Sequence, residues 1–461
     1  MTRNVEDLVP YPRRIFCNRN LRLDSVRYVG FDMDYTLALY TRQMEFLQAT
    51  MVIDRLVEVS GYPRAILDLE YDPEFAIRGL VVDLPTGNVF KMDRHSFVGR
   101  IWHGSRPVSS DERGDTYKNR KVSPEDPNFS PVDTLFSLPE ISLYCQLVAY
   151  FDAKNSAEAV DYAKLWSDLR QSMDGLHRDG SLKEEIGKNL AAYIVKDPEL
   201  SEMLHRFRSA GKKLFLLTNS EAAYTEKVMS YLFDGGNGGY SNWRDYFDWI
   251  ITSSRKPVFF TGDDPFLELD DSFEPTGEAV SALRRGKIYA HGNVNALTRL
   301  TGMHGEEVLY VGDHIYGDIL RSKRNAYWRT AMVIQEMERE LESVLSHASE
   351  LDQVARLEEE RFQLGLERTA RALEGDRDKA LRDQIRNLTK EIARLERGTS
   401  NLFNSYWGML FRDRAELSAF GAQVEDYACI YTSRASNLRL YSPVWYFRSP
   451  RDRMAHELQR P

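Results

Sequence analysis

The chain reads as an α/β protein: a doubly wound parallel sheet with an inserted α+β cap domain and a long helical hairpin. Two observations predict this. Short apolar runs alternate with helical stretches, as in strands joined by crossover helices. Four of these runs also end abruptly in small, polar or acidic residues. Asp32-Met33-Asp34 follows the run 26–31, and Thr218-Asn219-Ser220 follows 213–217. Ser253-Ser254-Arg255-Lys256 follows 249–252, and the segment Asp313 to Asp318 follows 307–312. Open α/β sheets bind ligands at the carboxyl ends of their strands, so the four clusters are expected to converge on one site.

Composition sets the bounds. At 461 residues the chain exceeds one ordinary core, and two or three structural units are expected. A net charge of -9 argues against a general nucleic-acid coat. Cys17, Cys145 and Cys429 are few, distant and odd in number, which suits a reducing compartment rather than a disulfide framework. The first residues do not read as a leader peptide, and no apolar run is long enough to cross a bilayer, so a cytoplasmic, membrane-free protein is expected.

Taken in order, residues 1–25 are irregular, with Pro10 and Pro12. Asp32 and Asp34 sit two apart and point the same way from an extended backbone. Two such acids repel unless a cation or a divided acid–base role resolves the conflict. The plainer alternative is a polar strand end with Thr36 capping a helix. Leu47, Met51, Leu56 and Val59 recur at helical spacing, predicting a helix over 44–60 that Gly61-Tyr62-Pro63 terminates. Residues 81–90 read as strand, turn, strand, and open an inserted domain. The Pro-, Ser- and Asp-rich stretch 103–132 reads as a long loop. Helices are expected over 141–151 and 157–173. The end of the second brings Arg170, Asp174 and His177 to one face, where a solvated ion pair is the common outcome. Thr218-Asn219-Ser220 suits an oxyanion cradle or a helix N-cap. Residues 261–286 read as a surface excursion, and 329–334 as a fifth strand.

From 337 to 397 charge is dense. Leu381, Ile385, Leu388, Ile392 and Leu395 form a 4-3-4-3 seam, with Gly375-Asp376 as the bend of a hairpin packed on itself or on another chain. The aromatic end, with Tyr441, Trp445, Tyr446 and Phe447, is expected to pack on the core or at a subunit contact. The division expected is 1–44 as the first part of the core, 45–205 as cap and 206–336 as the remaining core. The hairpin takes 337–398, and 399–461 forms a C-terminal segment.

The strings DMDYT, TNS, the loop Lys256 and GDHIYGD resemble the four motifs of the haloacid dehalogenase superfamily. FDMDYTLALY, SLKEEIGKNL, LLTNSEAAYTEKVMSYLFD and VLYVGDHIYGDILRSKR are similar to the cytosolic purine 5′-nucleotidases that prefer IMP and GMP. The resemblance implies a Rossmann-like core and Mg²⁺-dependent hydrolysis of purine nucleoside 5′-monophosphates, with phosphotransfer to a nucleoside as a second activity. It assigns Asp32 as the nucleophile that forms an aspartyl-phosphate, and Asp34 as general acid and base. Mg²⁺ would be held by the carboxylates of Asp32 and Asp313 and the backbone carbonyl of Asp34. Asp318 would hold a water of the metal or orient Lys256. Thr218 and Asn219 would bind phosphoryl oxygens, and Lys256 would balance their charge.

In the cap, the resemblance assigns Phe136 to stack on the base, and Arg170, Asp174, His177 and Lys183 to hold base and ribose. Ser137 stands where the animal enzymes carry Asn. The resemblance also implies a homotetramer and a nucleotide effector beside Tyr316 and Arg324, although Asp133 departs from the effector pattern. Two alternatives stay open: a phosphatase of the same superfamily acting on another phosphometabolite, and a non-enzymatic helical scaffold with a vestigial core.

Overall fold

The computed structural model describes residues 9–118, 120, 122–123, 126–154, 160–235, 239–373, 379–400 and 402–450. Its main sheet has ten strands. From one edge they are Phe16–Cys17, Ile430–Thr432, Arg329–Val333, Val308–Gly312, Tyr28–Phe31, Lys213–Leu217, Trp249–Thr252, Ile288–His291, Phe266–Leu269 and Pro275–Ala279. The seven from Ile430–Thr432 to Ile288–His291 run parallel. Tyr28–Phe31 is buried throughout, as a strand covered on both faces must be.

The chain leaves Tyr28–Phe31 toward one edge through Lys213–Leu217, Trp249–Thr252 and Ile288–His291. It then crosses back to Val308–Gly312 on the other side. Tyr28–Phe31 is therefore the topological switch point, where a crevice opens at the carboxyl ends. Phe31 lies level with Leu216 on one side and Val311 on the other. That register brings Asp32, Thr218 and Asp313 to the same edge. Gly30 is required in this strand, because a Cβ there would lie 2.2 Å from Cζ of Phe215.

The sheet is wider than the five strands expected from the sequence. The excursion 261–286 contributes the antiparallel pair Phe266–Leu269 and Pro275–Ala279, and Ile288–His291 links it to the parallel core. Ile430–Thr432, from the C-terminal region, pairs in parallel with Arg329–Val333, so this segment completes the core sheet. These strands have three to five residues each, too few for a periodic signal.

A second, antiparallel sheet runs Arg106–Pro107, Val98–His103, Asn88–Met92, Leu80–Asp83, Phe129–Val132. It overturns the long loop read over 103–132. Ser110–Tyr117 is a helix started by a capping box, in which the Ser109 hydroxyl accepts from the Glu112 N–H at 3.3 Å and Glu112 accepts from the Ser109 N–H at 2.9 Å. Phe129–Val132 is an edge strand, the place in a sheet where Pro131 is tolerated.

The helices Arg42–Glu58, Leu138–Lys154 and Tyr162–Arg178 pack against one another. The last begins later than expected, because Asp161 caps it through the Lys164 N–H at 2.9 Å; the expected start at 157 lies outside the described residues. A two-strand ribbon, Leu39–Tyr40 against Ile194–Val195, joins these helices to the core. The C-terminal segment also straps this half of the molecule. The Trp407 indole donates to the Phe75 carbonyl at 2.5 Å and Tyr406 donates to Asp72 at 2.6 Å. The buried Lys91 ammonium donates to the Trp407 carbonyl at 3.2 Å.

Beyond Glu336–Ser346, the helices Ala348–Leu373 and Lys379–Ser400 pack together and bury Leu381, Leu388 and Ile392. The hairpin thus covers most of its own seam. The expected bend at Gly375-Asp376 lies outside the described residues. Among the described residues, no helix is long and apolar enough to cross a membrane.

Candidate active site

The two acids that open the site face different surroundings. Asp32 is buried at the end of its strand, and its N–H donates to the Val311 carbonyl at 2.9 Å. A carboxylate oxygen from each of Asp32, Asp313 and Asp318 lies within 4.8 Å of the other two. The chain turns sharply after the pair: Tyr35 has φ +53° and the N–H groups of Leu37 and Ala38 donate to the Met33 carbonyl. The Asp34 carboxylate points elsewhere, accepting from the Tyr40 hydroxyl at 2.6 Å and the Ser220 hydroxyl at 2.7 Å. Tyr40 in turn meets the Tyr224 hydroxyl at 2.9 Å.

Lys256 is the cation of the cluster. Its ammonium lies 2.6 Å from Asp318, 2.9 Å from Asp32 and 2.8 Å from the Tyr310 hydroxyl. Burial works against the charge on Lys256, but the carboxylates of Asp318 and Asp32 outweigh it and hold its pKa above the ordinary value. Burial raises Asp32 to about 8, with Lys256 opposing and Asp318 and Asp34 adding to the rise. Burial, and then the charge of Asp318, push Asp313 well above the carboxylate range. Three buried carboxylates against one ammonium are short of positive charge. The donors are hard oxygens without His or Cys, which fits Mg²⁺ better than a softer metal. Asp32 and Asp313, named as ligands by the resemblance, supply two of the three carboxylates of this cluster. Asp318 shares their cluster and bonds Lys256 directly.

Thr218 and Asn219 lie at the same sheet edge, each already held by hydrogen bonds within the protein. The buried Thr218 hydroxyl accepts from the Ser220 N–H at 3.1 Å. The Asn219 side chain holds the lysine loop. Its oxygen accepts from the Lys256 N–H at 2.6 Å and the Ser254 hydroxyl at 2.9 Å, and its amide donates to the Lys256 carbonyl at 2.9 Å. That loop needs holding, because Ser253 and Arg255 both have positive φ, at 47° and 59°.

Beside Asp34 lies a cavity of about 320 Å³ whose walls include Asp34, Phe136, Arg170, Asp174, His177 and Lys183. The fold thus gathers every cap residue assigned from the sequence against Asp34. Phe136 packs edge-on to His177 at 5.4 Å and to Tyr35 at 4.7 Å. Burial, and then the Lys183 charge, lower the His177 pKa and favour the neutral imidazole. Lys183 pairs with Glu221 and lies 5.4 Å over the Tyr224 ring.

The solvated Arg170–Asp174 pair, the common outcome of that spacing, is not the one formed. Arg170 turns to Glu140, 3.2 Å away, while Asp174 makes no hydrogen bond or ion pair among the described residues. Glu140 is nearly fully buried in the same wall, and burial raises it to about 7 against the pull of Arg170. Its Oε1 accepts from Ser137 at 3.3 Å, and its Oε2 is the oxygen that faces Arg170. Sequence reasoning missed Glu140 and Tyr40. The one local clue to Glu140 is an acid among the apolar residues of the first turn of the helix Leu138–Lys154.

Tyr316 and Arg324, assigned to an effector, lie apart from this cavity. Both turn to the helix Ala419–Tyr427: the Tyr316 hydroxyl accepts from Gln423 at 3.0 Å, and the Arg324 guanidinium lies 5.9 Å over the Tyr427 ring. Asp133 lies 3.9 Å from His314.

A parallel sheet that gathers buried acids and a lysine at its carboxyl edge, beside a cap cavity, is the architecture of a phosphoric monoester hydrolase of the haloacid dehalogenase class. The chain belongs to the 5′-nucleotidase family, whose model matches residues 15–459. It is 31% identical over 456 residues to a 5′-nucleotidase domain-containing protein of Dictyostelium discoideum, covering 97% of this chain and 75% of that one. It is 30% identical to 5′-nucleotidase domain-containing protein 2 of Homo sapiens, covering 99% of this chain and 88% of the relative. Among solved structures, CbbY of Rhodobacter sphaeroides in complex with phosphate is similar at a TM-score of 0.25 and 12% identity, covering 67% of this chain and 86% of that one. The strand order described above, not this likeness, assigns the fold.

Proposed function

We propose that the protein hydrolyses purine nucleoside 5′-monophosphates, IMP and GMP before AMP, with Mg²⁺ as cofactor and an aspartyl-phosphate on Asp32 as intermediate. The observation that carries the reading is the shared cavity: Asp34 lies in the same wall as Arg170, Asp174 and Phe136. An ester oxygen beside Asp34 and a base beside Phe136 then belong to one substrate.

A phosphate monoester resists attack because its centre is already anionic, so the site must neutralise charge, align a nucleophile and protonate the leaving alkoxide. Asp32 and Asp313 would hold Mg²⁺, which would supply charge neutralisation when bound. Asp32 attacks phosphorus, which divides one hard step into two. Lys256, fixed by Asp318 and Tyr310, offsets charge on the phosphoryl oxygens. Asp34 protonates the nucleoside 5′-oxygen and later takes a proton from the hydrolytic water. Tyr40 and Ser220 hold its carboxylate for both transfers. The same site can pass the phosphoryl group to a nucleoside hydroxyl in place of water.

A 6-oxopurine presents an acceptor at O6 and a donor at N1, which Arg170 and Asp174 complement. Adenine reverses both and leaves buried polar groups unpaired. Assaying IMP, GMP and AMP beside a panel of sugar phosphates tests this. We expect kcat/KM for IMP or GMP to exceed that for AMP and the sugar phosphates by about 10²-fold or more. Equal values would favour the alternative phosphometabolite phosphatase.

Replacing Glu140 by Gln removes the counter-charge of Arg170. The expected result is a KM for IMP raised by about tenfold, with kcat little changed and the preference over AMP reduced, at a cost near 1–2 kcal/mol. A lowered kcat with unchanged KM would assign Glu140 to the chemical step instead. In this reading the enzyme works in the cytoplasm. Assembly as a tetramer and control by a nucleotide near Tyr316 and Arg324 complete it, and light scattering with and without added nucleoside triphosphate tests both.

A further inference from the structure

Arg78 is buried as completely as the hydrophobic core, with 1% of its surface exposed. It precedes the strand Leu80–Asp83 of the second sheet, more than two hundred residues from the fourth acid cluster. Yet its Nη1 donates to the backbone carbonyl of Asp313 at 2.9 Å. Its Nε and Nη2 donate to the two carboxylate oxygens of Glu336, each at 2.7 Å. The guanidinium lies 4.9 Å over the ring of Phe420. Gly79 seats the chain there: at φ +86°, a Cβ on it would lie 2.7 Å from the Cβ of Phe420.

A buried guanidinium is costly unless it is paired and hydrogen-bonded. Glu336 neutralises it through a two-pronged pair, which only an arginine can form. Glu336 offsets the charge of Arg78 within the pair, and what reaches Asp313 favours its carboxylate form against burial. What remains is the third contact, on the carbonyl of the residue whose carboxylate joins Asp32 and Asp318. Within that loop, Asp318 accepts from the His314 N–H at 3.2 Å. The segment 313–318 is thus closed by its own hydrogen bond, and Arg78 ties its first residue to the second sheet.

We propose that Arg78, locked by Glu336, is a positioning residue for the metal centre: it fixes the backbone at Asp313 and so sets the carboxylate for Mg²⁺. This rests on the metal reading of the acid cluster and not on any substrate. Through Glu336, the first residue of the helix Glu336–Ser346, the helical arm is rooted one residue away from the metal centre's support.

The test is Mg²⁺ binding by the full chain without substrate, by calorimetric titration and by the shift in melting temperature with MgCl₂. Arg78→Lys keeps the charge but cannot serve Glu336 and the carbonyl together. Glu336→Gln keeps the shape and removes the counter-charge, and it carries the test if Arg78→Lys does not fold. Either variant should weaken Mg²⁺ binding by about 10–100-fold, the usual cost of losing an outer partner of a metal ligand. Turnover should recover at raised Mg²⁺. A variant that melts earlier but binds Mg²⁺ as the wild type does would show a merely structural staple and overturn the proposal. Absence of saturable Mg²⁺ binding by the wild type would overturn the metal reading and the proposal with it. The substrate assignment stands apart from both outcomes.

Discussion

Replacing Asp32 by Asn is expected to abolish turnover, by roughly 10⁴-fold or more in kcat, while the fold persists. The amide occupies the same volume at the end of Tyr28–Phe31 but cannot attack phosphorus. The same substitution carries a stability signature. In the metal-free protein, burial raises Asp32 to about 8, above an unfolded value near 3.9. An acid raised on folding contributes stability that is fully present below about pH 4 and is lost as pH rises through about 8. In EDTA, the wild type should therefore melt at falling temperatures across that window. The Asn variant should fall less steeply, and Asp313, also raised, should keep part of the slope. Added Mg²⁺ should flatten the wild-type curve. Melting temperatures from pH 5 to 8.5, read beside kcat, check both halves. Turnover near the wild-type rate would remove Asp32 as nucleophile, and an unchanged slope would remove the electrostatic account.

Replacing Asp34 by Asn is the second large effect, and it should depend on the leaving group. With a nucleoside monophosphate, kcat should fall by about 10²–10⁴-fold, the usual contribution of a positioned acid. With p-nitrophenyl phosphate the departing phenolate needs no proton, so the first step should survive. The second step still needs a base for water. Rapid mixing of the variant with the aryl ester should therefore show a burst of nitrophenolate close to the enzyme concentration, followed by slow turnover. Loss of the burst to the same degree as turnover would mean that Asp34 shapes the site without moving protons. Its two hydroxyl partners make that distinction worth measuring, since Tyr40 and Ser220 hold the carboxylate whether or not it transfers a proton.

How much of this was legible depended on how local each signal was. Asp32 and Asp34 announce themselves because both acids follow a fully apolar strand within three residues. The helix carrying Arg170, Asp174 and His177 was legible from its period, so its face could be read. The stretch 103–132 was misread because composition outweighed one short device, the Ser109–Glu112 capping box, and because Pro131 argues against a strand unless the strand is an edge. Ile430–Thr432 has three residues, and nothing within them distinguishes a core strand from a loop.

The acid pair, the alternation of strands and helices and the helical period of the cap are all written locally, and together they point to a phosphate-handling α/β hydrolase. Partnership is not written locally. Arg170 chose Glu140 over the neighbour four residues away, and the Asn219 side chain took the lysine loop. Arg78 reached Asp313 and Glu336 across more than two hundred residues. A buried charge settles on whichever opposite charge or carbonyl the packed interior brings within hydrogen-bond reach, and only the assembled tertiary structure decides which one that is.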